Sequence, residues 1–87
     1  MAFYIVVYDV NQARGARMLK LMRRYLSWTQ NSVFEGELTE SQYKQLRAEA
    51  QRIVAEDDSV LFYSLGNRKY LRREVVGEDK GTDSRFL

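Results

Sequence analysis

Residues Phe3 to Tyr8, in the order Phe-Tyr-Ile-Val-Val-Tyr, form an unbroken run of bulky β-branched or aromatic side chains that stops at Asp9. The run is far too short to cross a bilayer, which takes about 20 residues. No alternation divides it into a wet and a dry side, so it predicts a central strand with apolar neighbours on both faces. A chain of 87 residues holds one domain around such a strand and not two. At this size only roughly 60% of the unfolded surface is buried on folding. The sequence has no cysteine, so no disulfide adds to this marginal core, and close packing or a second subunit must.

Downstream, Val10 to Ala13 read as a short polar connection. From Arg14 to Leu26 the apolar residues Ala16, Leu19, Met22 and Leu26 recur at helical spacing, with Arg14, Arg17 and Arg24 turned away from that stripe. Ser27 to Gln30 and Val33 to Leu38 are two strand-like segments joined through Asn31-Ser32, which predicts a hairpin. Thr39 followed by Gln42 is a capping-box pattern that opens a second helix. Its apolar stripe is Tyr43, Leu46, Ala50, Ile53 and Val54, and it is expected to end near Glu56. Asp57-Asp58 makes a polar break before the β-type residues Ser59 to Leu65. Gly66-Asn67 reads as a turn and Lys69 to Val76 as a last strand.

The predicted order is β-α-β-β-α-β with an additional C-terminal strand, an α+β chain of the ferredoxin-like type with both helices on one face of an antiparallel sheet. One domain covers residues 1–77. The tail 78–87 is glycine, charge and small polar groups, expected to be loose unless a partner orders it. Trp28, Phe34, Phe62 and Tyr63 all fall on predicted strands, and some of them are expected on the uncovered sheet face. A homodimer is the simplest way to cover that face. The N-terminus has no basic stretch before an apolar run, so no signal peptide is read, and with cysteine absent a cytoplasmic location without membrane contact is expected.

Histidine is absent as well as cysteine, which excludes Ser-His-Asp, Cys-His and structural zinc chemistry. Carboxylates, tyrosines, basic groups and a hard metal ion are what remain. The net charge is only +2, but Arg14, Arg17, Lys20, Arg23 and Arg24 succeed one another without an intervening acid. This run fits either a polyanion partner or the solvated face of an ordinary helix. Asp9, at the end of the apolar strand, can be a Mg²⁺ ligand, with a second Asp9 supplied across a two-fold axis, or it can cap the following helix. Tyr8 beside it can stack on a base or simply pack. Arg14 and Arg17 are close enough in sequence to grip a phosphate at the same place.

Three segments together resemble the small core adaptation protein of CRISPR systems, the subunit that works beside the spacer integrase. They are Tyr-Asp-Val at 8–10, Gln-Asn-Ser-Val-Phe-Glu-Gly-Glu-Leu at 30–38 and Asp-Ser-Val-Leu-Phe-Tyr-Ser-Leu at 58–65. The resemblance covers about the first 76 residues. It implies a ferredoxin-like homodimer whose last strand crosses to the partner's sheet, a bridge between two integrase dimers that holds the incoming DNA, and, in some members, a Mg²⁺- or Mn²⁺-dependent endonuclease acting on RNA or duplex DNA. It also implies Asp9 as the metal-binding and catalytic aspartate, and Tyr8, Phe34 and Arg17 as nucleic-acid contacts; Arg14 has no clean counterpart and is a candidate on proximity alone. Trp28 stands near a place where some members carry a basic residue. Three functions follow as expectations: a metal-dependent nuclease of CRISPR adaptation, a non-catalytic DNA-holding scaffold for the integrase, and a ferredoxin-like RNA-binding module.

Overall fold

The computed structural model describes residues 1–66 and 71–78. Its elements are β1 (Ala2–Asp9), α1 (Gln12–Tyr25), β2 (Ser27–Gln30), β3 (Val33–Leu38), α2 (Glu40–Ile53), β4 (Ser59–Leu65) and β5 (Leu71–Gly77). The strands form one antiparallel sheet in the order β2-β3-β1-β4-β5. This is the ferredoxin-like βαββαβ arrangement, extended at one edge by the fifth strand.

Alternation along the strands sorts the side chains between two faces. Tyr4, Val6 and Tyr8 of β1, Phe34 and Leu38 of β3, Val60 and Phe62 of β4 and Val76 of β5 share one core with Met18, Leu21 and Met22 of α1 and Tyr43, Leu46 and Ala50 of α2. Both helices therefore cover the same side. Tyr4 stacks on Tyr43 with ring centroids 4.8 Å apart, and Phe62 meets Tyr43 edge-on. The Tyr43 hydroxyl is buried beside Glu74, and burial first, then Glu74, pushes its pKa up to about 12. It stays neutral and plays a packing role.

Phe3, Ile5 and Val7 point the other way, which corrects the expectation that the β1 run is buried on both faces. Phe3 and Ile5 are 38% and 39% exposed in the single chain. Their register neighbours Leu61, Tyr63 and Leu65 on β4, and Val33 on β3, extend the apolar face, with Val75 of β5 opposite Leu61, while Glu37 and Glu35 of β3 stand beside Phe3 and Ile5 and give it an acidic margin. Of the aromatics expected there, Tyr63 alone is present on it. Phe34 and Phe62 lie in the core, and Trp28, opposite Phe34 in register, sits on the helical side at the sheet margin.

Helix boundaries differ where local signals were weak. The connection after β1 is Val10 and Asn11 alone; α1 starts at Gln12, capped by the Asn11 side chain, which accepts from the Ala13 N–H at 2.9 Å. The buried stripe is Met18, Leu21 and Met22, while Ala16 is exposed and Leu19 half-buried. Helix α2 begins where the capping box places it, with both Thr39–Gln42 hydrogen bonds made at 2.9 and 3.1 Å. It ends at Ile53, earlier than Glu56.

Strand β5 pairs with β4 of the same chain along its whole length, from Ser59 opposite Gly77 to Leu65 opposite Leu71. In the single chain β5 thus lies along the β4 edge of its own sheet, where the resemblance implies a partner's sheet. The expected turn at Asn67, the start of the last strand at Lys69 and the tail beyond Glu78 lie outside the described residues.

Candidate nucleic-acid and metal site

Asp9 ends β1 opposite Ser59 of β4, exposed, on the same sheet face as Phe3, Ile5 and Val7. Helix α1 has Asn11 as its N-cap, so the capping role weighed for Asp9 belongs to its neighbour. Among the described residues no three metal-ligating side chains gather within one chain. Mg²⁺ usually takes one or two carboxylates and fills its octahedron with water and phosphate oxygens. The exposed Asp9 carboxylate has the oxygen chemistry that suits Mg²⁺ or Mn²⁺.

What fixes the backbone beside Asp9 is Asp58, a residue that reads in the sequence as part of a surface break. Its side chain is 2% exposed and its two carboxylate oxygens accept from Asn11 N–H at 2.8 Å, Ala55 N–H at 3.0 Å and the Arg14 guanidinium through Nε and Nη2. These bonds hold the carboxyl well below the usual carboxylate range, the Arg14 hydrogen bond being the largest cause, against the opposing cost of burial. Its own carbonyl accepts from Glu78 N–H at 2.8 Å. Gly77, at φ +97°, passes so close that a Cβ there would lie 2.3 Å from that carbonyl oxygen, which is why this position takes glycine. Asp58 thus ties the β1–α1 connection to the end of α2 through its carboxylate, and to the end of β5 through its carbonyl. The sequence signal was slender: Asp58 opens the third of the quoted segments.

The other predicted site residues separate. Arg14 is engaged with Asp58 and does not extend toward a ligand. Phe34 is fully buried, stacked near Tyr8 at a centroid distance of 6.1 Å, and offers no surface to a base. Tyr8 is also buried; desolvation raises its pKa, opposed by a hydrogen bond with Ser32 and by the charge of Arg23. Arg17 is not in the lining of the clefts that Asp9 borders with Arg23 and with Asp58. It lines a basic groove of about 300 Å³ between the helices, with Lys20, Arg24 and Arg52 around Glu49; Glu49 is bound by Tyr25 Oη at 2.6 Å and Arg24 at 3.2 Å. The cation that does line a cleft with Asp9 is Arg23, which its place in a continuous basic run did not distinguish from its neighbours.

No helix among the described residues is long and apolar enough to cross a membrane. The family model described as CRISPR associated protein Cas2 matches residues 1–73. The chain is 46% identical over 82 residues to a CRISPR-associated endoribonuclease Cas2 of Thermotoga maritima, covering 93% of this chain and 94% of that one. Against the CRISPR-associated endoribonuclease Cas2 of Dictyoglomus turgidum it is 43% identical over 86 residues, 98% and 99% of the two chains. A solved crystal structure of cas2 is 50% identical, covers 92% of this chain and 91% of its own, and superposes with a TM-score of 0.75. A fold of this order and a full-length match of this strength agree: the chain belongs to the CRISPR-associated Cas2 family.

Proposed function

We propose that the protein works in CRISPR adaptation as a homodimer closed through the open sheet face, with the two Asp9 carboxylates sharing a divalent cation and cleaving phosphodiester bonds in RNA. The observation that carries this reading is that Asp9 lies at the end of the face formed by Phe3, Ile5, Val7, Leu61 and Tyr63. Burying these side chains against a second copy is favourable at about 25 cal/mol per Å² of apolar surface. An isologous contact repeats every group across a two-fold axis, so the surface that drives association also supplies the second carboxylate. Relatives bearing the name endoribonuclease over almost the whole chain favour RNA as substrate.

Within that dimer Asp9 holds the cation, Mg²⁺ or Mn²⁺. Bound there, the ion supplies a water of lowered pKa and polarises a phosphoryl oxygen. The groove of Arg17, Lys20, Arg24 and Arg52 carries the sequence-independent attraction for phosphates. It also favours a second role in which the dimer holds duplex DNA beside the spacer integrase. The two roles are compatible.

The test is cleavage of single-stranded RNA and duplex DNA by purified protein of measured oligomeric state, with Mg²⁺, with Mn²⁺ and with a chelator. RNA cleavage that needs the metal and stops in the chelator is the expected result. A dimer that binds duplex DNA and cuts neither substrate would overturn the nuclease and leave the scaffold.

A further inference from the structure

We infer that the cleft between α1 and the β2–β3 turn is a binding site for one unpaired nucleobase of a single-stranded nucleic acid, stacked on Trp28 with its phosphate held by Arg23. The inference deepens the nuclease reading and rests on it for the choice of RNA. The cleft encloses about 400 Å³ and is lined by Tyr8, Asp9, Leu19, Arg23, Trp28 and Ser32, among others, within the size range of small-molecule sites.

Trp28 is 54% exposed, an unusual condition for the chain's only tryptophan. Its indole N–H donates to the Asn31 carbonyl at 2.9 Å. The polar edge of the ring is thus satisfied inside the turn and its orientation fixed, leaving the apolar ring to offer area for stacking. Charge selects the side on which a nucleotide can lie. The cleft on the far side of Trp28 is lined by Glu35 and Glu37, which repel phosphate, whereas Arg23 on the α1 side is exposed and near enough for its charge to act on the Tyr8 hydroxyl. Asn31 and Ser32 bring amide and hydroxyl groups to the same cleft for the edge of a base. A base inside a duplex is covered on both faces and would have to leave its stack to enter; an unpaired base enters directly. Asp9 lines the same cleft, so a base seated on Trp28 brings its own backbone next to the candidate metal ligand.

Because the chain has a single tryptophan, its fluorescence reports on this site alone. A short single-stranded RNA and a duplex of the same sequence are titrated into wild-type protein in a chelator, so that binding is read without cleavage. The single strand is expected to quench Trp28 to saturation and the duplex to leave it nearly unchanged. Trp28→Leu is expected to weaken binding of a labelled single strand by about tenfold or more, in keeping with the stacking of a base on an aromatic ring, and Trp28→Phe to restore most of it. Single-strand binding with no change in fluorescence, equal quenching by the duplex, or Leu and Phe variants equally weakened would each overturn the site. The nuclease reading fails separately: protein that quenches but never cuts retains the site and loses the activity.

Discussion

Asp9→Asn is expected to fold, dimerise and bind RNA as the wild type does while its metal-dependent cleavage falls by at least about a hundredfold. Asparagine keeps the shape of the side chain and one oxygen but removes the charge that holds a hard cation. In a homodimer each substitution is counted twice, because both carboxylates of the shared site are changed. Asp9 is exposed at the end of a strand, outside the core, so the melting temperature should stay within a few degrees of wild type. Binding measured in a chelator should be unchanged or slightly tighter, since a negative charge near the phosphates is gone. Cleavage rate, RNA affinity and melting temperature, taken on the same preparation, separate a lost ligand from a damaged fold.

The largest effect on stability is expected at Asp58. Asp58→Ala leaves the Asn11 and Ala55 N–H groups without the acceptor they have now and deprives Arg14 of its partner. Breaking a buried pair costs about 3–5 kcal/mol when the remaining charge is trapped, but the Arg14 side chain is 26% exposed and can turn to water. A loss of about 2–4 kcal/mol is therefore expected, seen as a fall of roughly 10 °C or more in melting temperature for a domain of this size. The pH dependence has a definite sign. Folding holds the Asp58 pKa below its unfolded value of about 3.9, so its contribution is fully present above that value and is lost as pH falls below it. In that acid range the wild type should lose about 1.4 kcal/mol per pH unit through this one group, and Asp58→Asn should lack that component of the slope. Thermal melts of both proteins between neutral pH and pH 3 check it.

Much of this fold can be read from local chemistry. The Thr39–Gln42 capping box places the start of α2, the turn at Asn31 accommodates that residue's positive φ of 46°, and the Phe3–Tyr8 run marks the central strand. Misreadings came where one pattern serves two geometries. Of the expected stripe Met22 and Leu26 are buried, but Ala16 and Leu19 share their helical spacing with Met18 and Leu21, and only the sheet beneath α1 selects Met18 and Leu21 instead. Leu19 is left to line the Trp28 cleft. The β1 run has no polar alternation because its outer face is apolar in its own right; in one chain Phe3 and Ile5 meet solvent. Asp9 was legible as an exposed carboxylate because it stands where an apolar strand ends. Asp58 was not, because a buried acid held by groups at positions 11, 14 and 55 is indistinguishable in sequence from a solvated Asp-Asp turn. Phe34 shows the converse: it lies within the most distinctive segment, yet its place opposite Val6 puts it in the core.

The central claim, that two Asp9 residues act as one site, is tested most directly by mixed dimers. Wild type and Asp9→Asn are co-refolded in equal amounts and the Mg²⁺-dependent cleavage rate is compared with that of wild-type protein at the same total concentration. If a shared cation needs both carboxylates, only the wild-type homodimers are active and the mixture should retain about one quarter of the rate. A mixture that retains about one half, as independent subunits would give, contradicts it.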